Sequence, residues 1–235
     1  MLYKIADLLV EIPAAGGIAP RCEAYLYQRE GRPDIRINAE KYRAYEWPEL
    51  DYPAVCYMES GLQFYGELLK HNGMMLHASA VELDGKAYLF SADSGVGKST
   101  HTRQWQKVFG EKAQVFNDDK PALRKLDGVW YAYGTPWCGK DGINQNKKVP
   151  VAGICFLKQA EENRITPLSP VEAMFKIIAQ TRRKFAKTET LDRMLALVDR
   201  LARDIPIFEL ENRPEPEAAK LSYETMLRAA QERKL

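Results

Sequence analysis

The run Ala92-Asp93-Ser94-Gly95-Val96-Gly97-Lys98-Ser99-Thr100 constrains this chain more than any other stretch. It follows a β-rich segment, Ala87-Tyr88-Leu89-Phe90, and opens a helical pattern over residues 98–108. Gly95 and Gly97 permit backbone angles closed to other residues, so successive N–H groups can converge on one concavity. The positive end of the following helix adds to the attraction for anions. The pattern is G-x-x-x-x-G-K-[ST] with Ala92 in place of its first glycine, and it predicts a phosphate-cradling loop between a strand and a helix. In such a loop residues 93–100 surround the phosphates, Lys98 reaches the β- and γ-phosphates, and the Ser99 hydroxyl ligates magnesium. A nucleoside triphosphate with Mg2+ is therefore the expected ligand.

Bulk properties narrow the partners. With 235 residues, the chain has room for one domain, or a domain with a small lobe. Its net charge of +2 is too small to make nucleic acid or an anionic membrane the main partner. No apolar run reaches the roughly 18 residues that span a bilayer. Lys4 and Asp7 interrupt the N-terminal apolar stretch, unlike the core of a signal peptide. Cys22, Cys56, Cys138 and Cys155 stand apart with no C-x-x-C pair, which favours reduced buried thiols and a cytoplasmic location.

Residues 1–72 read as a β-rich lobe, with short strands over 3–10, 23–28 and 34–38 and a helix over 60–70. Residues 73–235 read as the nucleotide-binding core with a helical tail. Strands are expected over 74–83 and 86–91, joined at Asp84-Gly85, and over 122–126 and 129–133, joined at Asp127-Gly128. A strand over 113–117 precedes Asp118-Asp119, and the apolar run 149–157 suits a buried central strand. The last third reads as helical, with inward stripes Val171, Met174, Phe175, Ile178 and Leu191, Met194, Leu195, Val198. A final helix after Pro214 and Pro216 turns Tyr223, Met226, Leu227 and Ala230 inward. Hairpins mixed with helices predict an α/β protein of α+β character around a mixed sheet.

Candidate chemistry clusters near the glycine loop. Asp118 and Asp119 lie about twenty residues past Lys98, at the end of the next expected strand. A helix and a returning strand would bring them back to the phosphates, where adjacent carboxylates call for a cation. The alternative is a solvated turn, since Asn-Asp-Asp-Lys-Pro is good turn chemistry. His77 precedes the loop by one hairpin and could serve as a donor or proton relay beside the γ-phosphate, or as a satisfied strand histidine. The segment 133–146 is rich in glycine and polar groups around Trp137 and reads as a functional loop. Within it Lys140 could neutralise a transferring phosphoryl group, and Asn144 or Asn146 could orient a substrate. The basic run Arg182-Arg183-Lys184 with Lys187 could contact an anion or form a solvated helix end.

Together, His77 in Leu-His-Ala-Ser-Ala-Val, Gly85, the loop 93–99 and Asp118-Asp119 resemble the HPr kinase/phosphorylase family, within the superfamily of ATP-dependent phosphoenolpyruvate carboxykinases. Gly-Thr-Pro-Trp-Cys-Gly-Lys looks more like the small HPr-kinase-like proteins. The match covers residues 74–160 and the helical tail loosely. The resemblance implies a P-loop-containing mixed-sheet core of that type. It places phosphates at Gly95, Gly97 and Lys98, and magnesium at Ser99 and one of Asp118 and Asp119. The other aspartate would accept a hydroxyl proton, with His77 beside the γ-phosphate. Thr100 stands where that family often carries an acidic residue. The resemblance leaves a homo-oligomer open.

Two functions follow. One is a cytoplasmic kinase that uses ATP and Mg2+ to phosphorylate a hydroxyl on a protein serine or small metabolite. The other is a non-catalytic ATP-binding sensor. Guanine reading is disfavoured because Asn146-Lys147-Lys148-Val149 lacks the aspartate of N-K-x-D, and no Leu-Ser-Gly-Gly signature supports an ABC-type ATPase.

Overall fold

The computed structural model describes residues 1–13, 18–42, 44–181 and 187–234. Its N-terminal strands, β1 (Leu2–Ile5) and β2 (Leu8–Glu11), form an antiparallel hairpin, and β3 (Ile35–Arg36) pairs parallel to β2. The apolar run expected as one strand over 3–10 therefore folds back on itself. Ala6 and Asp7 both take left-handed angles (φ 51° and 60°), a turn that normally advertises itself with glycine or asparagine. Asp7 is stabilised there by Lys148 at 2.8 Å and by the Tyr133 hydroxyl at 2.9 Å. The strand expected over 23–28 is instead a 3-10 helix, Ala19–Tyr25, begun by Pro20 and burying Cys22 and Tyr25.

Helix α1 (Tyr52–Leu68) begins eight residues before the expected position. Asp51 caps it by accepting from the Ala54 N–H at 2.9 Å, and Pro53 sits in the first turn. Its buried face carries Phe64, Tyr65 and Leu68 against Trp137 and the hairpin core. Trp137, fully buried, stacks on Phe64 with centroids 4.6 Å apart and donates to Ser60 Oγ at 3.1 Å. Gly61 is required at this contact, because a Cβ there would lie 2.9 Å from the Trp137 ring.

Among the described residues nine strands form one mixed sheet. They are β4 (Gly73–Met75), β5 (Ala78–Leu83), β6 (Lys86–Ser91), β7 (Gln114–Asn117), β8 (Ala122–Leu126), β9 (Val129–Tyr133), β10 (Lys148–Gln159), β11 (Arg164–Pro167) and β12 (Ile207–Asn212). The two Asp-Gly hairpins form as their sequences predict, with φ 51° and 72° at Asp84-Gly85 and 49° and 85° at Asp127-Gly128. The long β10 joins the halves of the sheet. Residues 148–150 pair antiparallel with β9, 151–156 run parallel to β6, and 154–159 run parallel to β12. Its buried apolar run is thus central, as expected.

Helix α2 (Lys98–Phe109) packs with α5 (Pro216–Glu232) on one side of the sheet, around Trp105, Phe90 and Met226. Helices α3 (Pro170–Ala179) and α4 (Thr188–Asp204) belong to a separate core cluster, with Leu89, Phe116 and Ile154. The expected α3 stripe is out of register: Val171 and Phe175 are exposed, while Ala173 and Ile177 are buried. On α4, Leu191 and Leu195 lie at the surface while Leu197 and Leu201 join Met194 and Val198 inside. The expected all-helical last third also hides β12, a short strand taken into the sheet beside β10. All four cysteines are free and buried. No helix among the described residues is long and apolar enough to cross a membrane.

Candidate functional site

The strand expected over 74–83 breaks at Leu76 and His77, and the break creates the site's first corner. Before it β4 pairs with β8; after it β5 pairs with β6 and β7. The end of α3 is stitched into the gap: the His77 N–H donates to the Gln180 carbonyl at 2.7 Å, and Thr181 Oγ1 donates to the Met75 carbonyl at 2.6 Å. His77 thereby projects between two polar partners, Gln180 Oε1 at 2.9 Å from Nδ1 and Asp119 Oδ1 at 3.1 Å from Nε2.

The second corner is the turn after β7. Fully buried Asn117 pins it: its Oδ1 accepts from the N–H groups of Asp119 (3.2 Å) and Lys120 (2.9 Å), while its Nδ2 donates to the Thr135 carbonyl at 3.0 Å. Turn chemistry and the acidic pair are therefore the same device, with the turn aiming the carboxylates. Asp118 Oδ1 accepts from the Gly139 N–H at 2.6 Å. A Cβ on Gly139 would come within 3.0 Å of Asp118 Oδ2, so glycine is what lets that backbone approach.

The two carboxylates are driven apart electrostatically. Burial raises the Asp118 carboxyl, and the neighbouring Asp119 and Asp141 add to the rise against the Gly139 hydrogen bond. Burial pushes Asp119 the same way, yet the His77 hydrogen bond and the adjoining Lys120 ammonium overcome it and hold the carboxyl at about 2. Lys120 also donates to the Tyr57 hydroxyl at 3.1 Å, which donates to the Cys138 carbonyl at 2.8 Å. Arg21 from the N-terminal 3-10 helix reaches the same carbonyl at 2.8 Å and lies over the Tyr57 ring.

The third corner is the glycine loop. Gly95 (φ 86°) and Gly97 (φ 123°) take positive angles, and α2 starts at Lys98. The Lys98 side chain is buried and donates to the Ala92 carbonyl at 2.9 Å, and burial lowers its pKa against the pull of Asp119 and Asp93. The first-turn N–H groups of α2 are those a helix leaves without internal partners.

These corners enclose one cleft of about 460 Å³. Ser94, Gly95, Gly97, Lys98, Ser99 and Thr100 line one wall, and His77, Asp118 and Asp119 line another. Gly139 and Lys140 bring the 133–146 segment to its rim, with Asp141 and Arg103 beside them. His77 and Asp119 also line a second recess of about 280 Å³ with Lys120, Gln180 and Thr181.

Two residues expected at the phosphates turn their side chains elsewhere. Asp93 accepts from Gln180 Nε2 at 2.6 Å, and Val96 packs against the core beside α2. Both contribute backbone alone to the loop. Asn144 and Asn146 also face away, donating to the carbonyls of Arg21 and Ala24 and so fastening the N-terminal segment to the 133–146 loop. Arg182, Arg183 and Lys184 lie outside the described residues. The sequence reading took Asn117 and Lys120 only as turn residues and missed Arg103 and Gln180, since their further contacts run across the fold. Among the described residues no cluster of three or more His, Cys, Asp or Glu could hold a metal unaided. A hydroxyl with two carboxylates suits magnesium, which commonly uses one or two carboxylates and completes its shell with water and phosphate oxygens.

A family model described as SynChlorMet cassette protein ScmC matches residues 50–213, and the chain belongs to that family. No curated protein matches the chain. Among solved structures, the HPr(Ser) kinase/phosphatase from Coxiella burnetii is similar at 12% identity and a TM-score of 0.38, over 68% of this chain and 92% of that one.

Proposed function

We propose that this member of the ScmC family is a kinase that binds ATP with magnesium in the cleft and transfers the γ-phosphoryl group to a hydroxyl, on a protein serine or a small metabolite. The observation that carries the reading is the convergence of Lys98, Ser99 and the glycine loop with His77, Asp118 and Asp119 around one cleft. Phosphoryl transfer asks mainly for positioning and charge stabilisation, and these residues supply both.

The residues fit a magnesium ion. Asp118 is a buried carboxylate disfavoured by burial and by two acidic neighbours, a state that a nearby cation relieves. Ser99 and Asp118 would hold the ion, with Asp119 within the same wall. When bound, it neutralises charge on the phosphoryl oxygens. Lys98 adds a fixed positive charge where charge accumulates in transfer.

Asp119 has a different duty. It lines both the nucleotide cleft and the second recess, so an acceptor entering by the recess meets it directly. Held ionised by His77 and Lys120, it would orient the acceptor hydroxyl and receive its proton as the new O–P bond forms and the bond from the γ-phosphorus to the departing ADP breaks. A loose transition state asks little basicity of that group.

The test is transfer of label from γ-labelled ATP, with magnesium, into separated macromolecular and small-molecule fractions of a host-cell extract. Lys98→Ala should lower transfer about a hundredfold or more. Equal transfer by the variant refutes the assignment. Lys98-dependent binding without any transfer would make the chain an ATP sensor.

A further inference from the structure

We infer that Gln180, at the C-terminal end of α3, is a positioning residue that holds the His77 ring between the glycine loop and the acidic turn. Its catalytic consequence rests on the proposed kinase reading, whereas the positioning itself rests on geometry alone.

The argument begins with what each partner can do. An ionised carboxylate only accepts, so the Asp93 oxygen 2.6 Å from Gln180 must face the amide NH2. The reverse orientation would press two oxygens together at that distance. Gln180 Oε1 is thereby directed at His77 Nδ1, 2.9 Å away, and the ring donates from Nδ1. The other ring nitrogen lies 3.1 Å from Asp119 Oδ1, which only accepts, so this arrangement belongs to the ring with a proton on each nitrogen. Asp93, Gln180, His77 and Asp119 thus form one directed chain from the glycine loop to the acidic turn. The backbone reinforces it, since the Gln180 carbonyl also accepts the His77 N–H at 2.7 Å.

Among the described residues, Gln180 meets both demands of this part as placed. It needs an acceptor for the ring and a donor for Asp93 on a side chain long enough to reach both, and a glutamine amide has both. Lys98 and Lys120, which line the two recesses with His77, are directed to Ala92 and to Asp119 with Tyr57. Without Gln180 the ring can rotate about χ2 and Asp119 loses a fixed donor, as happens when the outer partner of a catalytic histidine is removed.

The test reads the ring directly. The chain has three histidines, so the His77 signals in histidine-15N-labelled protein are assigned with His77→Gln. The wild type should show a protected Nδ1 proton on His77. Gln180→Leu should lose it, or speed its exchange with water by about tenfold or more, the equivalent of one lost hydrogen bond. Gln180→Glu keeps the acceptor for Nδ1 but loses the donor to Asp93, so its exchange should fall between that of wild type and that of Gln180→Leu. Asp93→Ala, at an exposed loop position, is the second variant; it releases the far anchor and should also speed exchange.

An unchanged Nδ1 proton in both Gln180→Leu and Asp93→Ala overturns the inference, as does a wild-type His77 that carries no proton on Nδ1. With MgATP as the probe, Gln180→Leu should bind within about threefold of wild type while its transfer rate falls about tenfold or more, a loss in turnover rather than affinity. An equal loss of MgATP binding would make Gln180 structural and overturn the catalytic part. Failure of MgATP to bind wild-type protein would refute the kinase reading, and the ring signal would still decide the role of Gln180.

Discussion

Replacing each of the two adjacent aspartates by asparagine should move stability in opposite directions. The folded structure holds Asp119 at about 2 against its ordinary 3.8, despite burial that alone would raise it. At about 1.4 kcal/mol per tenfold change in proton affinity, the charged form contributes about 2 kcal/mol at neutral pH. Asp119→Asn removes that and leaves Lys120 half-buried beside a neutral group. With a slope of about 3 kcal/mol per M, the urea midpoint at pH 7 should fall by about 0.7 M. The sign in pH follows from the depressed folded value. The contribution is fully present above the unfolded pKa near 3.8 and disappears as pH falls through about 2. The deficit of the variant should therefore shrink between pH 4 and 2. Asp118 is raised instead, so its charge opposes folding at pH 7. Asp118→Asn keeps an acceptor for the Gly139 N–H and should be no less stable than wild type. Urea titrations with chelator present, at pH 7 and pH 3, measure both. An Asp119→Asn midpoint equal to wild type, or an Asp118→Asn loss as large as that of Asp119→Asn, would refute the electrostatic division of the pair.

Three further outcomes are expected. A Cβ at Gly134 would fall 1.8 Å from the Gln145 carbonyl oxygen, so Gly134→Ala should destabilise the chain by more than about 2 kcal/mol in chemical denaturation; a smaller loss would mean that this crossing can open. Trp137→Ala, which empties a fully buried site stacked on Phe64, should cost about 3–5 kcal/mol, and an exposed-residue cost below about 1 kcal/mol would contradict the packing. His101 is buried beside Phe90 and Ser222, and burial lowers its pKa to about 3. Since its charged form is disfavoured in the fold, stability should fall as pH drops below the ordinary 6.5, by at most about 1.4 kcal/mol per pH unit. His101→Gln should lack that component, and parallel pH profiles for the two proteins would exclude it.

The glycine loop, the acidic pair, the two Asp-Gly hairpins and the buried run in β10 were all legible because each is written in a few consecutive residues. Positive backbone angles call for glycine, period-two or continuous apolar runs mark strands, and Gly-Lys-Ser marks the start of α2. Where the same local rules were satisfied by a different answer, only the tertiary structure could decide. The β1–β2 turn uses Ala6 and Asp7 because Lys148 and Tyr133, over a hundred residues away, stabilise Asp7 there. His77 leaves the strand because the end of α3 fills the break, and β12 enters the sheet because β10 offers it a parallel edge. The sequence thus determined which residues carry charge and which backbone can turn sharply. The fold alone determined that Asp119 is held low while Asp118 is raised, since that difference arises from His77, Lys120 and Gly139, brought together by long-range packing rather than by any local pattern.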